Sequence, residues 1–422
     1  MGRIRELYYA FPKTIWVLAL AMVINTMGMS MLFPLNTLYI KNVLGGTIAA
    51  AGVILMIQQG FNILGNVIGG FSYDKIGPKR TIVLGILLSI VLVFTLIFIN
   101  RLSVYAVFLI LLGLSNGLIF PSIYAMAGAL WPEGGRKTFN IIYVANNLGV
   151  AFGPIIGGLA FQFVPRLIFV TYTITFFFFL FLIMYGFKKD SWEKVRLSSE
   201  NGKIAAATNG NSFKLRYINF APLMLLAFGI LIAWIPYSQW SVSIAVHINN
   251  LGIPYSQYTL LWTINGLVIV LGQPLISYLT TKVLKSLRSQ IYAGVIIYII
   301  SFLVLYYNPF YYLGFVIAMF VITFGEMLAW PAVPTAAAEL APPDKQGLYQ
   351  GIVSSAGAGG RMFGVLMAGL LFDIIGIYKL YLIMLMLLSL ALFIFTIYGK
   401  VSRKAVVISA MQKLQLEDAG QR

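Results

Sequence analysis

Long apolar segments separated by short polar turns follow one another along almost the whole chain. A run of about 20 mainly apolar residues is long enough to cross the hydrocarbon core of a bilayer as a helix. The longest polar stretch comes after the sixth run, and no stretch is long and polar enough for a soluble domain. The pattern predicts twelve spans, near residues 14–40, 47–72, 81–99, 103–130, 138–163, 167–187, 219–248, 258–279, 289–307, 311–338, 347–372 and 380–398.

The composition supports an all-α polytopic membrane protein and excludes several kinds of chemistry. The chain is 60% hydrophobic and 10% charged, whereas soluble domains are about 25% charged. It has no cysteine and one histidine, which excludes disulfides, thiolate nucleophiles and histidine-cluster metal sites. The sequence also offers no nucleophile–base set and no phosphate-binding loop. We therefore predict that the protein is not an enzyme and needs no cofactor or metal.

The net charge of +17 is distributed as in a membrane protein rather than a nucleic-acid-binding protein. On the twelve-span parse, 24 of the 29 Lys and Arg residues lie on the side that holds both termini, and four lie on the other side. Positive loops mark the cytoplasmic side of a membrane. We therefore expect a multi-pass protein of the plasma membrane with both termini in the cytoplasm, in contact with lipids and without nucleic acid.

The two halves of the chain resemble each other weakly. The segment that begins at Asn116 aligns with the one that begins at Glu326, so that Pro121 falls on Pro331. With the register shifted by one residue, Gly153 falls on Gly364. Two transporter halves related by an axis along the membrane normal give such a repeat. The predicted organisation is two pseudo-symmetric six-helix bundles in one monomer. Their bounds are residues 1–187 and 217–400, with a cytoplasmic linker at 188–216 and a cytoplasmic tail at 401–422.

A basic turn with a single acid joins the second and third predicted spans. It has the pattern G-x-x-x-D-x-x-G-x-K-R, with its defined positions at Gly70, Asp74, Gly77, Lys79 and Arg80. This turn resembles the signature loop of the major facilitator superfamily in both sequence and position. The resemblance implies the major facilitator fold and alternating access. In that scheme we expect Asp74 to act as a conformational latch that favours the outward-open state.

A glycine-rich pattern in the fifth predicted span resembles the antiporter motif of the same superfamily. The pattern G-x-x-x-G-P-x-x-G-G is matched at Gly149, Gly153, Pro154, Gly157 and Gly158. Small residues at this spacing let two helices approach closely, which is also a purely structural explanation. In the superfamily the motif is typical of proton-coupled exporters.

The fourth predicted span departs from that exporter pattern. Gly113 stands where drug exporters of the superfamily usually carry an arginine. The usual proton-relay arginine is therefore missing.

Two charged residues lie deep in the predicted membrane spans, Glu326 in the tenth and Arg361 in the eleventh. Charges at bilayer depth are costly, rare and usually functional. We expect them to form a central charge pair in which Glu326 binds either a proton or a cationic solute, so that one displaces the other. The alternative is a buried pair that only fixes the two helices.

We expect a substrate cavity of polar amides and aromatic rings around this pair. Aromatic walls with few polar groups suit flat, lipophilic and cationic ligands. The predicted cavity residues are Asn25, Gln58, Asn62, Asn116, Tyr143, Asn146, Trp234, Tyr237, Trp240, Trp262, Asn265 and Trp330.

These observations lead to one preferred function and two alternatives. The preferred function is secondary active transport of a small molecule by alternating access, as proton-coupled export of lipophilic or cationic drugs. The first alternative is an importer or facilitator of a metabolite such as a sugar or organic anion, with Arg361 as its contact. The second is a lipid-handling flippase.

Overall fold

Apolar helices of membrane length make up most of the computed structural model, and the described residues contain no strand. The structure describes residues 11–32, 35–187, 191–192, 195, 219–342 and 344–420. The predicted linker at 188–216 lies almost wholly outside this set. The first-half helices are α1 Lys13–Leu32, α2 Asn36–Asn42, α3 Ile48–Ile76, α4 Pro78–Leu96, α5 Leu102–Leu130, α6 Arg136–Phe163 and α7 Leu167–Tyr185. The second-half helices are α8 Phe220–Ser238, α9 Ser243–Asn250, α10 Tyr255–Leu271, α11 Gln273–Tyr278, α12 Leu287–Tyr307, α13 Tyr312–Leu340 and α14 Gln346–Gly420.

The helices account for the predicted spans, with breaks at defined positions. By length and composition, ten of the described helical segments can cross a membrane, or eleven if the pair bent by 50° at Gly272 is one span. Gly376, with φ +73°, interrupts α14. The part of α14 before this break covers the eleventh predicted span and is helical throughout, but it is not among the segments that qualify as membrane-crossing. The part after it continues as helix through the predicted tail as far as Gly420.

Each half has its own apolar core. One cluster of buried residues runs from Ile15 to Val195 and the other from Leu223 to Tyr398. A third, smaller cluster joins the halves, because Tyr143 of α6 packs with Met327 and Leu328 of α13. The chain is therefore two bundles that meet along several helix pairs, chiefly α3 with α14, in the arrangement that the sequence repeat predicted.

The glycine-rich motif brings α6 against α1. A Cβ atom added to Gly149, Gly153 or Gly157 would overlap atoms of α1, whereas Gly158 has open space around it. The Ser30 hydroxyl of α1 donates to the Gly149 carbonyl oxygen at 3.1 Å. The four glycines of the motif thus differ in role. Gly149, Gly153 and Gly157 mediate the contact with α1, and Gly158 does not.

The second half repeats this contact between α14 and α8. A Cβ atom at Gly364 would overlap Ser238 and the Ile235 carbonyl oxygen, just as one at Gly153 would overlap Ser30 and the Met27 carbonyl oxygen. The Gln239 amide donates to the Gly364 carbonyl oxygen at 2.9 Å. The repeat seen in the sequence is therefore also a repeat of helix packing.

Candidate functional site

The Glu326 carboxyl lies in a polar pocket within the second half, and the side chain is 4% exposed. Its Oε2 atom accepts hydrogen bonds from the Tyr237 hydroxyl at 3.0 Å and from the Asn265 amide at 2.9 Å. The same amide donates to the Thr323 hydroxyl oxygen at 2.9 Å. The Tyr143 hydroxyl, which comes from the first half, lies near this carboxyl without a hydrogen bond to it. The acid thus accepts from neutral donors on α8 and α10.

Arg361 lies apart from this carboxyl. No ion pair or hydrogen bond between described residues joins the two, and the guanidinium instead lies over the Trp234 ring at 4.7 Å from its centroid. Trp234 stacks on Trp330 with centroids 4.6 Å apart, and Tyr237 packs edge-on against Trp234 at 5.0 Å. The expected direct charge pair is therefore not formed. The Arg361 guanidinium contacts the Trp234 ring, and the Glu326 carboxyl contacts the Tyr237 hydroxyl.

The guanidinium reaches a cavity of about 320 Å³ that lies mainly in the first half. This volume is at the lower end of the range for small-molecule sites. Polar amide and hydroxyl groups alternate with apolar side chains around it, and Arg361 is its one charged lining residue. The cavity is lined by Thr26, Met29, Ser30, Leu32, Asn36, Gln58, Gln59, Asn62, Leu109, Leu112, Gly113, Asn116, Phe120, Asn146, Val150 and Arg361.

Four of the predicted cavity residues line this space, and the others lie elsewhere. Gln58, Asn62, Asn116 and Asn146 are in the lining. Tyr143, Tyr237 and Asn265 surround Glu326, and Trp234 and Trp330 form the aromatic stack. Trp240 is buried in the second-half core, Trp262 donates to the Tyr258 hydroxyl at 3.0 Å, and Asn25 is fully buried in α1.

Several functional candidates were missed by sequence reasoning. Thr26 and Ser30 line the cavity from one face of α1, where they are four residues apart, and Gln59 follows a predicted residue directly. The i, i+4 spacing of the two hydroxyls was a readable signal. Tyr298 adds a third ring beside Tyr237 and Trp330, at 5.9 and 5.8 Å, but nothing in the sequence distinguishes it from other core tyrosines.

The structure explains why the fourth span has no arginine at Gly113. A Cβ atom there would overlap the Gln58 carbonyl oxygen of α3. The Asn62 amide donates to the Gly113 carbonyl oxygen at 3.1 Å. The contact between α3 and α5 therefore leaves no room for a side chain at this position.

Asp74, in the last turn of α3 rather than in the predicted loop, links the two halves. Its carboxylate accepts hydrogen bonds from the backbone N–H groups of Gly347 and Leu348, both at 2.8 Å, at the first turn of α14. The positive end of the helix dipole favours a carboxylate there. Beside it, Gly70 and Gly347 touch so closely that a Cβ atom on either would overlap the other's carbonyl oxygen. We call Gly70, Asp74, Gly347 and Leu348 the latch.

The turn that follows Asp74 depends on Gly77. This residue ends α3 and precedes α4 with φ +95°, a conformation that glycine adopts readily and L side chains rarely. Pro78 then begins α4 at its first position, where the missing N–H group is no loss. Gly77 and Pro78 thus both suit the backbone of this turn.

Comparisons with known proteins place these features in a family. The model of the Major Facilitator Superfamily matches residues 18–365 and 237–414. YttB, an uncharacterized MFS-type transporter of Bacillus subtilis (strain 168), is 42% identical over 389 residues, which cover 92% of this chain and 96% of YttB. A multi-drug resistance efflux pump PmrA homolog of Lactococcus lactis subsp. lactis (strain IL1403) is 27% identical over 135 residues, 29% of this chain and 32% of its own.

The fold has a solved counterpart. The crystal structure of the human organic anion transporter MFSD10 aligns with a TM-score of 0.69 and covers 91% of this chain and all of that one. The two chains are 15% identical, so the likeness concerns the fold alone.

Proposed function

The chain belongs to the Major Facilitator Superfamily, and from that premise we propose that it is a proton-coupled exporter of small lipophilic solutes. Membership makes it a multi-pass membrane transporter. The finer proposal concerns the direction, the coupling ion and the solute. It is supported by the carboxyl of Glu326, by the glycine-rich contact and by the efflux pump among its relatives.

The observation that carries the proposal is the environment of Glu326. Its carboxyl is buried at mid-span and hydrogen-bonded to neutral groups only. Ionisable groups at this depth usually belong to ion or proton pathways. Without an ion-pair partner to lose, this carboxyl can gain and release a proton at the cost of rearranging a few hydrogen bonds. We propose that this exchange is the coupling step.

The same geometry changes how coupling is expected to work. Direct competition between a proton and a cationic solute would require Glu326 to face the solute. The described cavity is instead lined by one cation and no acid. We propose that proton and solute bind at separate places and are linked through the Trp234–Trp330 stack and Tyr237. The cavity gives no support to cationic solutes.

The packing between the halves indicates which side of the membrane the cavity faces. The latch closes the molecule at one end, which positive loop charge assigns to the cytoplasm. The cavity residues Gln58 and Asn62 lie on α3 between 12 and 16 residues before Asp74, about 18–24 Å away along the helix. We propose that the structure is the outward-facing state, in which an exporter releases its solute.

Transport in everted membrane vesicles tests the coupling. With a panel of fluorescent anionic, neutral and cationic dyes, wild-type vesicles should accumulate at least one dye when an acid-inside pH gradient is imposed. Glu326→Gln should reduce this accumulation to the background of vesicles without the protein, since glutamine cannot exchange a proton. The matched control is Glu133→Gln, because Glu133 is exposed in the turn between α5 and α6. Equal accumulation in Glu326→Gln and wild type would refute the coupling role.

A metabolite facilitator is the second candidate, and the cavity lining favours it. Neutral amides and a single guanidinium are groups that bind hydroxyl and anionic groups well. Uptake that equilibrates a solute across the membrane without any response to the pH gradient would support this function over export.

A further inference from the structure

We propose that the solute bound in the first-half cavity is a small organic anion, and that Arg361 is the residue that selects it. This inference names the solute class for the cavity used in the proposed function and rests on that function. Its first support is the composition of the lining. Every lining residue except Arg361 comes from the first half, and every other polar one is an uncharged amide or hydroxyl.

The lining of the cavity therefore carries one positive charge and no negative charge. Arg361 makes no ion pair with any described carboxylate, and its one recorded partner is the Trp234 ring. Arg361 is half-buried, and a guanidinium at this place in an apolar helix bundle is costly without a counter-charge. A carboxylate or phosphate on the solute would supply that counter-charge in the bidentate geometry that arginine favours.

An unsatisfied amide in the same cavity supports a built site. Asn116 is 7% exposed and lines the cavity, yet its side-chain oxygen has no hydrogen-bond partner in the described part of the chain. Buried polar atoms without partners are uncommon and need an explanation. Rotation of the Asn116 amide toward the cavity would present this oxygen to a hydroxyl or N–H group of the solute while the anionic group contacts Arg361.

The opposite solute charge fits poorly. A cation in this cavity would face Arg361 with no acid in the lining to offset the repulsion. Glu326, the acid of the tenth span, is bonded to Tyr237 and Asn265 and is not a lining residue. The same solute skeleton should therefore bind as an acid, less well as a neutral amide, and least as an amine.

Binding to the purified full-length protein tests this order directly. The probes are phenylacetate with phenylacetamide and phenethylamine, the naphthyl series of the same three groups, and phenyl phosphate. We expect a carboxylate or the phosphate to raise the melting temperature and to bind more tightly than its amide and amine counterparts. In Arg361→Gln its dissociation constant should rise roughly tenfold or more, the effect of losing a charge-assisted hydrogen bond.

Two further variants separate selection from folding. Arg361→Lys keeps the charge and should retain the preference for the anion over the amine, with reduced affinity. Arg101→Gln removes an exposed arginine outside the cavity and should bind like wild type. The proposal is overturned if no anion binds better than its amide and amine, or if Arg361→Gln binds the anion as wild type does.

The assay measures binding without transport, so its failure is distinguishable from failure of the proposed function. Loss of anion selectivity would leave the Glu326 vesicle experiment intact. Unimpaired export by Glu326→Gln would remove proton coupling and leave the assignment of Arg361 standing.

Discussion

Individual side chains decide which charged groups meet, and this is where the sequence predicted least. Hydropathy predicted that Glu326 and Arg361 lie well inside helices, and each lies far from the ends of its helical segment. It could not give the direction in which each side chain points, because that depends on how α13 and α14 are rotated against their neighbours. Glu326 points to α8 and α10, whereas Arg361 points to Trp234 and the first-half cavity. The position of each charge along its helix was predictable, and the direction of its side chain was not.

The Asn265 amide should be a stabilising residue of the Glu326 pocket. It donates to both Glu326 and Thr323, and Asn265→Ala leaves two buried acceptors with fewer donors. We expect a loss of about 1–3 kcal/mol in stability, seen as a lower melting temperature of the purified protein. Asn250→Ala, at the exposed end of α9, is the control. Equal melting temperatures for the two variants would show that the pocket tolerates the loss.

Helix pairs were more predictable than side chains, since small-residue spacing reports directly on close approach. The glycine motif predicted that α6 packs tightly on a neighbour, and the structure gives α1 as that neighbour. What the motif could not show is that Gly158 does not take part. The matching contact of Gly364 with α8 was visible in the sequence only as a weak alignment.

Two alanine substitutions in the same motif should therefore behave differently. Gly153→Ala places a methyl group against Ser30 and Met27 of α1, and overpacking of this kind costs about 1–3 kcal/mol. Gly158→Ala meets open space and should be neutral or mildly stabilising, because alanine favours helix over glycine by roughly 1 kcal/mol. Thermal melting of both variants checks this. If they melt together, α1 and α6 are less closely packed than described.

At the scale of the whole molecule, the two-bundle architecture could be predicted from the sequence. The apolar runs predicted the spans, the loop charges predicted their sidedness, and the repeat predicted two similar halves. The latch was predicted as a residue, Asp74, but its partner was not. A backbone N–H group at the start of a helix carries no sequence signal, and Gly347 and Leu348 lie more than 270 positions along the chain from Asp74. Contacts between halves are the part of such a fold that sequence patterns leave open.

Asp74→Asn should shift the whole protein away from the latched state. The variant loses the charge that the α14 N-terminus stabilises and one of two oxygen acceptors. A loss of about 1.4 kcal/mol changes the ratio of the two states tenfold. Spin labels at Glu133 and Lys285, exposed positions in different halves, should report a larger population of long distances. A distance distribution identical to that of the latched protein would contradict the role of Asp74.

The cavity draws fifteen of its sixteen lining residues from one bundle. As the bundles rock, the solute would therefore move with the first bundle and keep one contact, Arg361, with the second. The choice of solute would then depend on the first bundle, separately from the conformational change between the bundles. A chimera that joins this first bundle to a relative's second bundle should recognise the same solutes as long as it retains one guanidinium at this contact.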